Sequence, residues 1–402
     1  TTITQPASVK TYLTHTDKND LSIVETSDSV IILNRGVEVA LNTAIANTTS
    51  TYNRSLLWIT SAINGAKYTV THVSTAVPPV ETVVGVYTAA TGDTPKSVMI
   101  ALETGLAEGG GAALGASTKN MFADIPLTKT FHRESNTVIV RNDALDYFKV
   151  ECDYGLHINT IAEANFVNSK TVQYPSILPA TIATGIADTL TPQGTENFLV
   201  RVNPDVNEDL TTYYLKYDAD YEAWVEVSSP YTGSLDNETM PITIEKDTVT
   251  TITVAHSDFL APVSGDDLSN PPPTLVGSTI KDMIIYNSRL GFATESTMVF
   301  SAIDEHYTFY RTTTSSSLIS DVVDLELDSS KLGYRAIDNI FVLDNNIIIN
   351  TGLTQSMLAM PQNLDISRAI FAQIASFDLG NNVPIPIRRS MYFPIKSGSF
   401  ST

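Results

Sequence analysis

Residues able to do chemistry are thinly spread along this sequence, and spacing decides what each group can be. Gly109–Gly115 (GGGAALG) has the composition of a phosphate-cradling loop. Such a loop needs its glycines between a strand and a helix N-terminus, with Lys and then Ser or Thr following. Here the glycines follow a helical pattern and Lys119 precedes Asn120, so the run reads as a flexible loop. The six histidines (His15, His72, His132, His157, His256, His306) never fall in H-x-H or H-E-x-x-H spacing, which argues against zinc. Gly265–Asn270 (GDDLSN) offers hard oxygen ligands of the kind calcium takes. The spacing of an EF-hand loop is missing, and a Pro-flanked loop is the simpler reading. A glycosidase needs two carboxylates facing each other at about 5–10 Å. With 44 acidic residues some pair meets that by chance, so their presence decides nothing. The G-x-S-x-G elbow of serine hydrolases is absent. Arg388 and Arg389, with Lys396, form the most basic cluster. In an acidic chain such a pair suits a neighbouring subunit's carboxylates better than DNA, because the guanidinium fork favours interface ion pairs. The reading is a non-enzyme with no catalytic residues, cofactor or metal.

The elements that would position these residues are short and mostly extended. Thr279–Arg311 holds three strand-like runs: Met283–Tyr286, a segment from Arg289-Leu290-Gly291-Phe292, and Thr297–Phe300. Asn287 and Ser288 form the turn between the first two, and the whole reads as most of one antiparallel meander. Gly291 supplies either a free backbone angle or room for a neighbour. Tyr307, Phe309 and Tyr310 put three aromatics within four residues; they suit a core, or, under a glycan-binding alternative, a sugar-stacking face. Upstream, Asn64-Gly65 is the strongest hairpin signal, between strands Leu56–Ile59 and Tyr68–Val73. Thr94 and Pro95 open the single convincing helix, carried by Val98, Ile100, Leu102 and Leu106 and ended by Gly109–Gly111. Asp344–Asn346 is a hairpin turn between two apolar strands, and Asp266–Pro273 an exposed, rigid loop. The expected division is residues 1–50 as the first part of a β main body, 51–180 as an inserted α+β domain, and 181–402 as the continued β body. The chain opens on Thr1 and stops in a Ser/Gly-rich stretch, which suggests a portion of a longer protein.

Charge separates the remaining classes. The chain has 24 Lys and Arg against 44 Asp and Glu, a net charge of −20 at pH 7. Between Glu196 and Asn270, 15 acidic residues face 3 basic ones. DNA affinity comes from cations that neutralise phosphates, so such a surface is either a solvated face or a wall that DNA does not hold to. Cys152, the single cysteine, sits in a strand pattern and excludes an intrachain disulfide. No apolar run reaches the roughly 20 residues of a membrane span.

Several separated segments resemble one family in the same order. The apolar run, R-L-G-F (Arg289, Leu290, Gly291, Phe292), M-V-F-S and the aromatic run after it are similar to the signature region of the tail tubular protein B family, the tail nozzle of short-tailed bacteriophages. Upstream, Tyr213-Tyr214-Leu-Lys-Tyr217-Asp218, then Trp224-Val-Glu226 and Glu238-Thr-Met-Pro241, resemble the family's "Y-Y-x-x-Y-D … W-x-E … E-T-M-P". Asp20-Leu21 to Asn34-Arg35 resembles its N-terminal segment, and Asp321–Asp324, Asn339–Asn350 and Gln355–Ala359 its downstream strands. The family usually has Asn where this chain has Ser288. The resemblance implies a propeller-like β body with a platform-like insertion and a virion structural protein. It further implies a homohexameric ring below a tail adaptor ring, with tail fibres at the side and genome DNA passing through without specific binding. The alternatives are a virion-associated glycan-binding or glycan-degrading β protein, or a free adhesin.

Overall fold

The computed structural model describes residues 2–26, 29–42, 52–74, 76–107, 109–124, 130–143, 146–162, 198–202, 213–229, 232–246, 248, 251–314, 316–327, 336–359, 370–377, 385–387, 390–392, 396–397 and 400–401. The protein is mainly β, built from several small, largely antiparallel sheets. Among the described residues the longest helix is Pro95–Thr104, 10 residues, and none is long and apolar enough to cross a membrane. Two compact units emerge, residues 1–45 with 232–402, and residues 46–231. The boundaries expected near 50 and 180 both lie outside the described residues.

In the 46–231 unit, one sheet orders Ile158–Ala162, Tyr52–Ile59, Thr137–Asp143 and Thr130–Glu134. A second orders Tyr147–Cys152, Lys67–Val73, Glu81–Thr88 and Ala116–Lys119. The helix lies with them, and Leu57, Tyr68, Val84, Val98, Leu102 and Val138 share one core. Its start is as the sequence reads: Thr94 Oγ1 accepts from Ser97 N, Ser97 Oγ accepts from Thr94 N, and Pro95 takes the first turn. Its end is earlier than expected. Gly105 adopts φ 74°, which a residue with a Cβ reaches only at a cost, and the helix stops there rather than at Gly109. Asn64-Gly65 also departs from expectation. It is a turn, but Tyr52–Ile59 and Lys67–Val73 pair with other strands in different sheets, so no hairpin forms. Tyr68 Oη, which accepts from Ile63 N and donates to Ser61 O, shapes this crossover.

The glycine-rich run closes on itself through a Leu106–Ala112 bridge and is pinned by Tyr87. Tyr87 Oη accepts from Gly115 N and donates to Asp93 Oδ2, each at 2.7 Å. Burial, and then the Asp93 hydrogen bond, push the Tyr87 phenol from its ordinary 10.0 up to about 12. Because the folded value is raised, the contribution is full below pH 10 and lost as pH rises through about 12. In melts across that window, wild type is expected to lose stability that Tyr87→Phe no longer has to lose. A wild-type to variant difference that stays constant through it would sink the idea.

In the other unit, a five-stranded sheet orders Thr2–Thr4, Thr251–His256, Ile242–Lys246, Ser29–Asn34 and Leu21–Glu25; only the first pair is parallel. Two four-stranded meanders follow. The signature sheet runs Asp282–Tyr286, Arg289–Ala293, Thr297–Phe300, Val323–Glu326, and the downstream sheet Ile337–Leu343, Asn346–Thr351, Gln355–Ala359, Ile370–Ala375. The three strands expected in Thr279–Arg311 are present, joined by a fourth. Residues 316–322, ahead of that fourth strand, form a loop. The turns at Asn287-Ser288 (φ 47° and 58°) and Asp344-Asn345 (φ 48° and 61°) hold two successive left-handed residues, the twist that tight hairpins need. Asn tolerates this conformation better than Ser, so the Asn that the resemblance implies at the position of Ser288 would suit it well.

Candidate functional site: buried polar anchors of the signature sheet

The signature residues occupy the middle of the core. Every residue of Arg289–Ala293 is buried. Leu290 and Phe292 join the cluster of Ile31, Leu33, Met240, Phe259, Val299 and Phe309. Phe292 stacks on Phe309 with centroids 5.1 Å apart. Phe309 and Tyr310 are each 2% exposed, so the sugar-stacking role considered for them is unavailable; they are core.

Among the described residues Arg289, 1% exposed, is the largest fully buried side chain. Its Nη1 donates to the carbonyls of Ser301 (2.6 Å) and Asp321 (2.5 Å), and its Nη2 to that of Ile319 (2.8 Å). Burial lowers its pKa from the ordinary arginine value, and the Asp321 carboxylate opposes that shift. The cation therefore holds Ile319 and Asp321 against the strand end at Ser301 by binding their carbonyl dipoles, at the desolvation cost such burial carries.

Gly291 is present for close approach. A Cβ there would stand 2.5 and 2.6 Å from ring carbons of Phe300. Gly291→Ala is expected to displace that ring and cost about 1–3 kcal/mol, as overpacking does. The midpoint of urea unfolding measures it, and Phe300→Leu in the same chain should return part of the loss. An unchanged midpoint for Gly291→Ala alone would refute this account.

A second anchor escaped the sequence reading. Asp282, 7% exposed, heads the apolar run. Its Oδ1 accepts from Ser22 Oγ (2.9 Å) and Arg35 Nη2 (3.1 Å), and its Oδ2 from Ile340 N (3.0 Å). One carboxylate thus joins the N-terminal, signature and downstream sheets. Arg35 belongs to the N-terminal family segment, whose other residues are also structural. Asp20 Oδ2 accepts from Asp17 N, and that bond is the first cause of its lowered pKa. Asn34 Nδ2 donates to the carbonyls of Tyr12 (2.5 Å) and Thr14 (3.0 Å).

Of the upstream signature segments, Tyr213–Asp218 and Trp224–Glu226 lie on two strands of a three-stranded sheet completed by Leu199–Val202 in the 46–231 unit, and Glu238–Pro241 belongs to the other unit. Tyr214 and Tyr217 are buried, and Tyr217 meets Trp224 edge-on across the strands at 5.3 Å. Asp218 Oδ1 accepts from Asp220 N and Tyr221 N, closing the hairpin turn. Glu226 lies opposite Leu215, half-buried, and its charge adds to the burial that raises the Tyr213 pKa. Arg388 and Arg389 lie outside the described residues.

In the Gly265–Asn270 loop, side-chain oxygens of Asp266, Ser269 and Asn270 are engaged by the chain itself. Asp266 Oδ1 accepts from Leu268 N, Ser269 N and Ser269 Oγ. Asn270, buried rather than exposed as expected for this loop, donates through Nδ2 to Ser264 O and Arg311 O and accepts from Arg311 N. From the acidic run, Asp220, Glu222, Glu238, Glu245, Asp258 and Asp267 are solvent-exposed.

An arginine spent on backbone carbonyls and a carboxylate spent on joining sheets are the workings of a structural β protein. The chain belongs to the bacteriophage nozzle protein family, whose sequence pattern matches residues 1–402. It is thus a structural component of the virion tail. Over 215 residues it is 23% identical to the tail tubular protein gp12 of Escherichia phage T7. That stretch covers 53% of this chain and 27% of the relative, so the match spans little more than a quarter of the longer protein.

Proposed function

We propose that copies of this protein form the nozzle ring of a short-tailed phage, six to a ring, extending the tail tube, retaining the genome and conducting it on ejection. The observation that carries this reading is the match to the nozzle family across the whole chain. The exposed carboxylates of the 196–270 run support it, because an anionic wall lets a polyanion slide where a basic one would hold it. The partners in this reading are an adaptor ring above, tail fibres at the side, and passing DNA bound without sequence preference. The Arg388-Arg389 pair is a subunit contact. The two four-stranded meanders are blades of a propeller-like body, a topology that fits successive antiparallel strands.

Mass photometry and negative-stain class averages of the purified chain, alone and with its adaptor, test the proposal. A hollow six-fold ring is the expected result. A monomer that ignores the adaptor would overturn it.

A further inference from the structure

Asn64-Gly65 is the single Asn-Gly pair in the sequence, and it carries a chemistry separate from the turn it makes. Glycine has no Cβ to crowd its nitrogen. In an Asn-Gly pair that nitrogen, once deprotonated, can attack the Asn side-chain carbonyl carbon. The new C–N bond closes a five-membered succinimide, and the side-chain nitrogen leaves as ammonia. Water then opens the ring at either carbonyl. The product is Asp, or isoaspartate, whose main chain runs through the β-carbon. Only water is consumed, so the rate is set by solvent access to the pair and by the freedom of the glycine nitrogen.

The fold grants the first and withholds the second. Asn64 and Gly65 are both exposed, and beyond the chain neighbours no atom lies within 4 Å of where a Gly65 Cβ would stand. The nitrogen, by contrast, is engaged. Gly65 N donates to Ala89 O at 2.8 Å, and Ala89 N donates to Ala66 O at 2.9 Å. Ala66 N closes the turn on Ile63 O at 3.0 Å, with Gly65 at φ 82°. These bonds continue the pairing of Lys67–Val73 with Glu81–Thr88 past its last strand residues. Ala66 and Ala89 are 0% and 3% exposed and belong to the core of the 46–231 unit, so the rung is anchored from inside. An amide whose proton is held by a carbonyl resists deprotonation, and turning its nitrogen onto the side chain gives up that bond. We infer that Asn64 is a deamidation site that the folded chain keeps closed, with the Gly65–Ala89 hydrogen bond as its guard. A chain that opens here is marked irreversibly. The product carries a new carboxylate, and isoaspartate lengthens the main chain by one carbon, so the rung no longer re-forms in register.

Incubating the whole chain at mildly alkaline pH, folded in buffer and unfolded in guanidinium chloride, tests this. Peptide mass spectrometry reads the replacement of the amide nitrogen by oxygen at each asparagine. The unfolded chain is expected to convert Asn64 ahead of its other asparagines. In the folded chain Asn64 should convert at least about tenfold more slowly, because a bonded turn reacts only during local opening. Amide exchange at Gly65 should be slowed by a matching factor, since both reactions need the same opening. Asn64→Gln, whose longer side chain closes the ring poorly, should lose the conversion and keep the melting temperature. Equal rates at Asn64 in folded and unfolded chains would overturn the guard. A Gly65 amide that exchanges freely while Asn64 stays intact would overturn it too, since the protection would then come from elsewhere. An unfolded chain that leaves Asn64 intact while other asparagines convert would remove the site itself.

Discussion

Arg289→Met is expected to lower stability by about 3–5 kcal/mol, the range found when a buried, hydrogen-bonded charge is removed and its partners remain. Methionine fills much of the volume, so the loss measures hydrogen bonding more than cavity. Three carbonyls, of Ser301, Ile319 and Asp321, would lose a charged donor together. At roughly 2–4 °C per kcal/mol for a unit of this size, calorimetry should show a drop of roughly 6–20 °C. Arg289→Lys should keep little of the lost stability, since one ammonium cannot reproduce a planar fork reaching three acceptors. The loss should be local in origin, with amide exchange accelerating first in the 302–321 loop. A loss below about 1 kcal/mol would show that water replaces the guanidinium readily, and that the signature arginine has another purpose.

Asp282→Ala should cost about 2–4 kcal/mol, because it strands Arg35 and the Ile340 amide in a poorly hydrated site. Asp282→Asn retains the acceptor geometry and gives up the charge, so it should fall between Ala and wild type. A double-mutant cycle with Arg35→Ala is the sharper measurement, with an expected coupling of about 0.5–3 kcal/mol. Additive losses would mean that the 3.1 Å contact holds the sheets together in appearance only.

What the sequence makes legible follows from how locally each feature is determined. The Asn287-Ser288 and Asp344-Asn345 turns could be read because left-handed residues are named by their own side chains. The helix start could be read for the same reason, since Thr94, Pro95 and Ser97 complete their capping among themselves. Its end was misplaced because Gly105 and Gly109 look alike in sequence, and only the backbone angle at Gly105 separates them. Asn64-Gly65 makes its turn, yet strand partners are chosen by sheet packing, which left the two flanking strands in different sheets. The Arg289 stretch stood out as a pattern, but its chemistry did not, because its acceptors are backbone carbonyls present at every residue. Asp282 and Arg35 gave one faint cue each: a charge at the edge of an apolar run. Nothing in one dimension pairs them across 247 positions.

That separation bears on when the protein can take shape during its synthesis. Residues 46–231 form a compact unit of consecutive sequence, whereas the other unit needs both early and late parts of the chain. Contacts this distant are closed late, after shorter loops have formed. At roughly 5–20 residues per second, a ribosome needs on the order of tens of seconds to travel from Arg35 to Asp282. Throughout that interval the edge strand Leu21–Glu25 has no Asp282 to bind Ser22 or the Arg35 that follows, while the 46–231 unit has its whole sequence. The N-terminal segment is thus a waiting clasp. A nascent chain cannot present that discontinuous unit in finished form to another copy until synthesis has passed residue 340.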